Sequence, residues 1–228
     1  MTLVEHVKPA VRAVFANWKP MLLIQLGAVA LVAIYYQSRG LQSWCSELAD
    51  FKAKGGLPFA ALAGAFAGGI IPEFVKWVTG NGSKKQTWQE VACVSLYFAF
   101  MGFSVDILYT FFGRIYGMGH EPLTILKKTA SDMGVFCPLI AVSTTVVAFT
   151  WKDVGFSWTK MCEAFSGGGY WDRYIKVLLP NWMIWIPVVS AIYCLPVNLQ
   201  FLTAQLAEAA WSIVIVHISQ GANSEEFA

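Results

Sequence analysis

The chain has 228 residues, of which 57% are apolar and 13% charged, and its mean hydropathy is +0.54. Soluble domains carry about a quarter charged residues, so this composition disfavours a soluble protein and indicates an integral membrane protein. A membrane-spanning helix needs about 20 mostly apolar residues. We therefore predict an all-α polytopic membrane bundle of five or six transmembrane segments, without a separate soluble domain. The net charge of +2 disfavours nucleic-acid binding.

Residues 1–56 form an N-terminal part with three predicted elements. In residues 1–20, basic residues such as Lys8 and Arg12 accompany valines at helical spacing, which predicts a basic amphipathic helix. Met21–Ser38 carries no charge and has no small-residue cleavage site, so we expect a retained span rather than a signal peptide. Residues 40–56 mix charges with aromatic side chains and end in a glycine pair, which indicates an interfacial connector.

Residues 57–220 hold the remaining predicted spans. The first of them, Leu57–Val78, has small residues at every fourth position, a spacing that lets a neighbouring helix approach closely. This helix-packing stripe consists of Ala60, Gly64 and Gly68. The other predicted spans are Glu90–Gly113, Met133–Trp151, a short or proline-broken segment within 177–196, and Val197–His217. Residues 221–228 form a polar C-terminal tail.

Aromatic and basic residues support these spans and suggest their orientation. Tryptophan favours the headgroup level of a bilayer, and four tryptophans fall at the ends of predicted segments. They are Trp18, Trp77, Trp88 and Trp151. With six spans, ten of the sixteen Lys and Arg residues lie on the N-terminal side, which predicts a cytoplasmic or matrix-side N-terminus.

Ionisable and polar residues at membrane depth are the candidate functional residues. A charge near the bilayer centre costs several kcal/mol, so such groups face a bundle interior or a water-filled cavity. The candidate pore-lining residues are Asp106, Glu73, Lys76, Tyr109, Arg114, Asn181, Gln205 and Glu208.

Each charged candidate has its own interpretation. Asp106 has no basic residue within a helical turn, so we expect its partner on another helix, with Lys76 or Arg114 as candidates. Glu73 and Lys76 are three residues apart and either line the pore or pair with each other near the interface. Glu208 is either a pore residue or a protonated packing residue.

The sequence lacks the motifs of common enzymes. The three histidines stand in separate segments without a His-Glu-x-x-His pattern, and neither a Gly-x-Ser-x-Gly elbow nor a phosphate loop is present. Five scattered cysteines favour neither a disulfide framework nor a zinc site. We interpret the glycines at 167–169 as a flexible loop. The sequence thus predicts no catalytic residue, no metal and no cofactor, and disfavours an enzyme.

Between Leu57 and Ser219 the chain carries a series of motifs in a fixed order. They are Gly68–Glu73, Gly102–Tyr109 with Arg114, Lys127 and Lys128 with Asp132 and Pro138, Asn181 with Trp185, Pro187 and Pro196, and Trp211 with Ser212. In order and spacing they resemble the family of small four-helix membrane proteins named after the twenty-two-kilodalton peroxisomal membrane protein and the Mpv-seventeen protein. The chain looks like a divergent member with an extra N-terminal span, since Gly69 stands where the family has Asp and Asp106 where it often has His.

Two hypotheses of function follow. The resemblance implies a channel or pore for small solutes in an organellar or bacterial inner membrane, and we expect it to pass small polar or charged solutes. The acidic residues would favour cations, unless Lys76 and Arg114 offset them and leave the pore unselective. The alternative is a structural or assembly subunit that packs through the Ala60, Gly64 and Gly68 stripe against a larger membrane complex. The expected partners are the lipid bilayer, small solutes, and either a second copy of the chain or a larger complex. The expected location is a mitochondrial or bacterial inner membrane, with the peroxisomal membrane as an alternative.

Overall fold

A computed structural model describes residues 18–78 and 87–225, with side chains up to residue 213. The amphipathic helix predicted for residues 1–20 lies almost wholly outside the described residues, and so does the end of the predicted polar tail. The described part of that tail, up to Glu225, continues the last helix.

The described residues form helices and no strand, which confirms the all-α prediction. The α-helices are α1 (Trp18–Gln37), α2 (Arg39–Gly64), α3 (Ile71–Val78), α4 (Trp88–Tyr116), α5 (Pro122–Ser131), α6 (Ser143–Asp153), α7 (Trp158–Phe165), α8 (Gly169–Tyr193) and α9 (Val197–Glu225). Two π-helical segments, Ala65–Ile70 and Asp132–Val142, join α2 to α3 and α5 to α6 without a break.

Five continuous helical stretches are long and apolar enough to cross a membrane. They are Trp18–Gln37, Arg39–Val78, Trp88–Tyr116, Pro122–Asp153 and Trp158–Tyr193. Helix α9 stands outside this set, but it packs against α1, α2, α3, α4 and α8 and so lies at the centre of the bundle. The chain is therefore a polytopic helical membrane protein, and many large apolar side chains face outward from it, as lipid contact requires.

Local sequence signals set the starts of these helices. The Ser38 hydroxyl accepts a hydrogen bond from the Leu41 backbone N–H at 3.2 Å at the start of α2. At the start of α4, Thr87 and Glu90 form a reciprocal capping box, with the Thr87 N–H donating to the Glu90 carboxylate at 2.7 Å. The tryptophans Trp18, Trp77, Trp88 and Trp151 lie in the first or last turn of their helices and are exposed.

The segment in which we expected an interfacial connector is helical up to its last residue, Gly56. Residues 40–56 belong to α2, which runs on to Gly64. The helix is interrupted at Gly56, where the backbone takes the left-handed φ of 55° that glycine adopts without a steric penalty. Pro58 follows within the first turn after this interruption, where its missing N–H costs little.

The fifth segment is not broken, contrary to the sequence prediction. Helix α8 is continuous through both Pro180 and Pro187. A proline leaves the carbonyl four residues earlier without its helical donor, and in membranes a neighbouring group commonly takes over. The Met183 carbonyl, which Pro187 leaves free, accepts a hydrogen bond from the Gln25 amide of α1 at 2.8 Å. A side chain of the N-terminal span thus replaces the backbone hydrogen bond that Pro187 removes from α8.

The second π-helical segment shows the same compensation at Pro138. In a π-helix the donor bonds the carbonyl five residues earlier, so Pro138 leaves the Met133 carbonyl free. The indole N–H of Trp182 in α8 donates to that oxygen at 2.8 Å. The Pro138 carbonyl itself accepts from the Tyr174 hydroxyl at 2.9 Å. Both contacts fix α8 against the π-helical segment.

The stripe of Ala60, Gly64 and Gly68 faces α4 within the same chain. A methyl group added at Gly64 would overlap the Phe98 carbonyl oxygen and lie 2.9 Å from the Cα of Gly102. The two backbones therefore touch, and Ala60 and Gly64 are buried. The partner of this stripe is helix α4, not another protein chain.

Candidate functional site

A cavity of about 380 Å³ lies between α4, the second π-helical segment, α6, α8 and α9. Four of the predicted interior residues line it. They are Tyr109, Asn181, Gln205 and Glu208. The π-helical geometry of Asp132–Val142 widens the helix along one wall, and such segments occur frequently at functional sites.

Asp132 is the buried carboxyl group of the cavity wall. It is only 4% exposed, and the hydroxyl of Tyr193 donates to its Oδ2 at 2.7 Å. The ring of Tyr193 packs edge-on against Tyr109, with 5.3 Å between the ring centroids. The carboxyl group is therefore held in a fixed position by side chains from α4 and α8.

Helix α9 supplies the second carboxyl group. Gln205 and Glu208 are three residues apart, so they lie on one face of the helix and line the cavity together. The Gln205 Oε1 is buried without a hydrogen-bond partner among the described residues. A buried acceptor left without a donor is costly, so this amide oxygen is a suitable contact for a donor group in the cavity.

Other polar groups of the wall already have partners. The Tyr97 and Thr145 hydroxyls are 2.5 Å apart, and the Cys137 thiol donates to Asn181 Oδ1 at 3.2 Å. Lys176, the basic residue of the wall, forms an ion pair with Asp172 at 2.6 Å. Asp132 accepts from Tyr193, and Glu208 is hydrogen-bonded to Ser212 of its own helix. Gln205 Oε1 is without a partner among the described residues, so it and the neighbouring Glu208 are the groups best placed to meet a solute.

Aromatic rings make up much of the remaining wall. They are Tyr97, Phe98, Tyr109, Phe136, Phe149, Trp185 and Trp211. Tyr97 and Phe149 pack edge to face, with 5.6 Å between centroids. A cavity with aromatic walls and a few convergent polar groups is typical of a small-molecule site.

Asp106 lies elsewhere, and the expected partners were wrong. Its side chain is 7% exposed and forms an ion pair with Lys52 of α2, not with Lys76 or Arg114. The Lys52 ammonium also lies 5.4 Å from the ring centroid of Phe201 in α9. This pair joins three helices outside the cavity wall, so the structure gives Asp106 a packing environment.

The remaining predicted residues also lie outside the cavity wall. Glu73 and Lys76 form an ion pair at 2.6 Å, which is the local pairing that the sequence allowed. Arg114 is exposed in the last turn of α4. The structure therefore brings together one half of the predicted set and leaves the other half apart.

The prediction omitted two buried ionisable residues, Asp132 and Lys128. Lys128 lies one turn before Asp132 and is 1% exposed, and its ammonium is 5.8 Å from the Tyr193 ring centroid. Its Nζ has no hydrogen-bond partner in the described part of the chain. The available signal was the helical pattern around Lys127 and Lys128, which continues into the uncharged run from Met133.

Neither a search for metal sites among the described residues nor a comparison with known proteins assigns a further role to any residue. Within residues 18–78 and 87–213, no group of three or more His, Cys, Asp or Glu side chains is placed to hold a metal ion. The five cysteines are free. Comparison with protein-family models, curated proteins and solved structures finds no match. The family resemblance thus rests on the sequence motifs given above.

The Asp132–Tyr193 hydrogen bond yields a first prediction. We expect Tyr193→Phe to lower the free energy of unfolding by about 2 kcal/mol, because the buried carboxyl group loses a donor while the ring is kept. Tyr116→Phe, which removes a hydroxyl 2.7 Å from the neutral Ser131 hydroxyl, is the matched control, with an expected loss of about 1 kcal/mol. Denaturation in mild detergent measures both. Equal losses would show that the carboxyl group gains nothing special from Tyr193.

Proposed function

We propose that this protein is a membrane channel or pore that passes small polar or charged solutes through the cavity between α4, α6, α8 and α9. The observation that carries the proposal is the pair of carboxyl groups, Asp132 and Glu208, on the wall of a cavity inside a bundle of membrane helices. The resemblance to a family of small-solute pores points to the same function.

The physical argument starts from the cost of polar groups in a membrane. Carboxyl and amide groups at this depth are expensive and are found where they pair or face an aqueous path. Asp106, Glu73 and Lys76 pair with charged neighbours. Glu208 and Gln205 instead face a cavity of a size that accommodates a small molecule. Solute passage would explain their presence.

Solute flux in reconstituted liposomes tests this proposal. Wild-type protein should accelerate the entry of small polyols or small cations relative to protein-free liposomes. We expect Glu208→Gln to reduce flux of a cation by about tenfold, because one charged contact in the path is removed. Glu163→Gln is the matched control, since Glu163 is exposed on α7 and lies outside the cavity. Absence of flux for every solute would refute the pore. Equal flux in wild type and Glu208→Gln would refute the cavity as its path.

A structural or assembly subunit is the alternative proposal. The surface that it assigned to a partner is occupied within this chain. The hypothesis placed a partner on the Ala60, Gly64 and Gly68 stripe, which α4 covers within this chain. A partner complex would have to use another face. Co-purification of a stable complex whose assembly is insensitive to Glu208→Gln would favour this alternative.

We further propose a bacterial or mitochondrial inner membrane as the location, with the peroxisomal membrane as the alternative. The basic N-terminal sequence and the family resemblance support this proposal. Fractionation of membranes from the source cells, followed by detection of the native chain, distinguishes the three locations.

A further inference from the structure

The cavity wall combines two carboxyl groups, aromatic surface and an unused acceptor. Asp132 and Glu208 provide carboxyl groups, and Gln205 Oε1 is an acceptor without a partner among the described residues. Lys176 is the one Lys or Arg among the residues described in the wall, and its charge is already paired with Asp172 at 2.6 Å. The residues described in the wall therefore offer acceptors and carboxyl groups without an unpaired Lys or Arg among them. The ammonium of Lys128, which has no hydrogen-bond partner within the described ranges, lies outside the lining, 5.8 Å from the Tyr193 ring centroid.

We propose that the cavity binds a small organic ammonium ion, a protonated amine that carries N–H donors on an apolar body. This inference rests on the proposed function, since it names the class of solute that the same cavity takes. The ammonium head meets the Glu208 carboxyl group and the Gln205 oxygen, which lie on one face of α9. The apolar body meets the aromatic walls.

Each part of the ligand corresponds to a feature of the wall. An ammonium group is attracted to the carboxyl groups and to the faces of Tyr and Trp rings, and Tyr109, Trp185 and Trp211 are in the wall. An N–H donor satisfies Gln205 Oε1, which a quaternary ammonium without N–H cannot do. The volume of about 380 Å³ is at the small end of the range for ligand pockets, so the body is small.

Other ligand classes fit the wall less well. An anion would meet two carboxyl groups without a free cation in the described wall to offset them. A bare metal ion needs several oxygen or nitrogen ligands in close geometry, and the described residues provide no such group. An alkali ion has no apolar body, so it leaves most of the aromatic surface without a contact. An organic cation uses both the charged and the aromatic parts.

Calorimetry on the full chain in lipid nanodiscs tests the ligand class. The probes are phenethylammonium, the neutral 2-phenylethanol and the anionic 3-phenylpropionate, which share the aromatic body and differ in the head group. We expect phenethylammonium to bind about tenfold or more tightly than the alcohol, because the charged head contributes the difference. The carboxylate should not bind measurably. Equal binding of the ammonium and the alcohol would overturn the inference.

Two variants assign the head-group contacts. Glu208→Gln should weaken binding of phenethylammonium by about tenfold, whereas the exposed control Glu163→Gln should leave it unchanged. Gln205→Leu should weaken phenethylammonium but not its N-trimethyl analogue, which has no N–H to donate. Parallel loss for both ligands would show that the Gln205→Leu substitution merely distorts the cavity and would overturn the role of the amide oxygen. Unchanged binding in Glu208→Gln would overturn the site.

The outcomes separate this inference from the proposed pore. One outcome is a flux of neutral polyols that depends on Glu208, without preferential binding of the ammonium probe. It would support the proposed pore and refute the organic-cation site. Tight binding of the ammonium probe without flux of any solute would support the organic-cation site and refute the proposed pore. Binding and competition of phenethylammonium with solute flux in the same preparation support both.

Discussion

Gly64→Ala is expected to lower the free energy of unfolding by about 3 kcal/mol, although alanine is the better helix former. The added methyl group would overlap the carbonyl oxygen of Phe98 and lie 2.9 Å from the Cα of Gly102. Both obstacles belong to the backbone of α4, so no rotamer change can relieve them. The α2 and α4 helices must separate, and the cost is the loss of their close contact.

Gly27→Ala is the matched control for this prediction. Gly27 lies in the middle of α1, and a methyl group there meets nothing within 4 Å. Because the substitution and the type of helix are the same, the difference between the two variants isolates the contact between helices. Titration with a denaturing detergent measures both, and we expect Gly27→Ala to be neutral or slightly stabilising. Similar values for the two variants would contradict the close packing.

Gly102→Ala extends the test to the other side of the contact. A methyl group there would overlap the Ala60 carbonyl oxygen and lie 3.0 Å from the Cα of Gly64. Once one substitution has separated the helices, the second meets less resistance. The double variant should therefore lose less stability than the two single losses added together.

The packing stripe illustrates what a single sequence can predict. The four-residue spacing of Ala60, Gly64 and Gly68 marks the face of the helix on which another backbone approaches, because that face lacks side chains. It does not identify the approaching helix. The partner residue Gly102 has Phe98 and Asp106 four residues to either side. No comparable stripe therefore marks it, and only the fold brings it opposite Gly64.

The limits of the predicted spans explain the residues that sequence analysis missed. Several predicted spans are bounded by charged residues, so charges that lie just beyond the end of an apolar run fall outside them. Lys52 therefore falls in the predicted connector of residues 40–56, and Lys128 and Asp132 fall between the predicted spans Glu90–Gly113 and Met133–Trp151. In the structure, α2 and the helix from Pro122 continue through these positions. Buried charges next to the end of an apolar run are thus the residues that this way of delimiting a span omits.

The prolines of α8 mislead the sequence prediction for a related reason. A proline removes one backbone hydrogen bond, which is a local property, and Pro180 and Pro187 therefore predict a broken segment. Whether the helix continues depends on a donor from elsewhere in the fold. For Pro187 that donor is Gln25 of α1, 158 residues away in sequence from the Met183 carbonyl that it contacts. Nothing local to α8 contains this information.

The cavity could be predicted only in part. Gln205 and Glu208 share one face of an otherwise apolar helix, so the helical period indicates a polar surface there. Asp106 has an equally isolated position in α4, but the fold provides Lys52 as its neighbour. A charged residue that stands alone in an apolar stretch of sequence can therefore line a cavity or form an ion pair, and the sequence does not distinguish the two.

The Lys52–Asp106 ion pair leads to the second prediction of large effect. We expect Lys52→Met and Asp106→Leu each to lower the free energy of unfolding by about 3–5 kcal/mol, because each leaves an uncompensated charge among membrane helices. The side chains are 18% and 7% exposed. The double variant removes both charges and should be more stable than either single variant. A double-mutant cycle in detergent measures the coupling energy.

A second cycle on Lys152 and Asp153 provides the control, and flux of the double variant decides the role of Asp106. This ion pair, at 2.9 Å, has a carboxylate that is 57% exposed, so its coupling energy should stay below about 1 kcal/mol. A comparable value at both sites would contradict the special role of the Lys52 pair. Because Asp106 lies outside the cavity wall, the Lys52→Met/Asp106→Leu protein should keep the flux of wild type once folded, whereas Glu208→Gln should not. Loss of flux in a stable double variant would show that Asp106 contributes to the solute path.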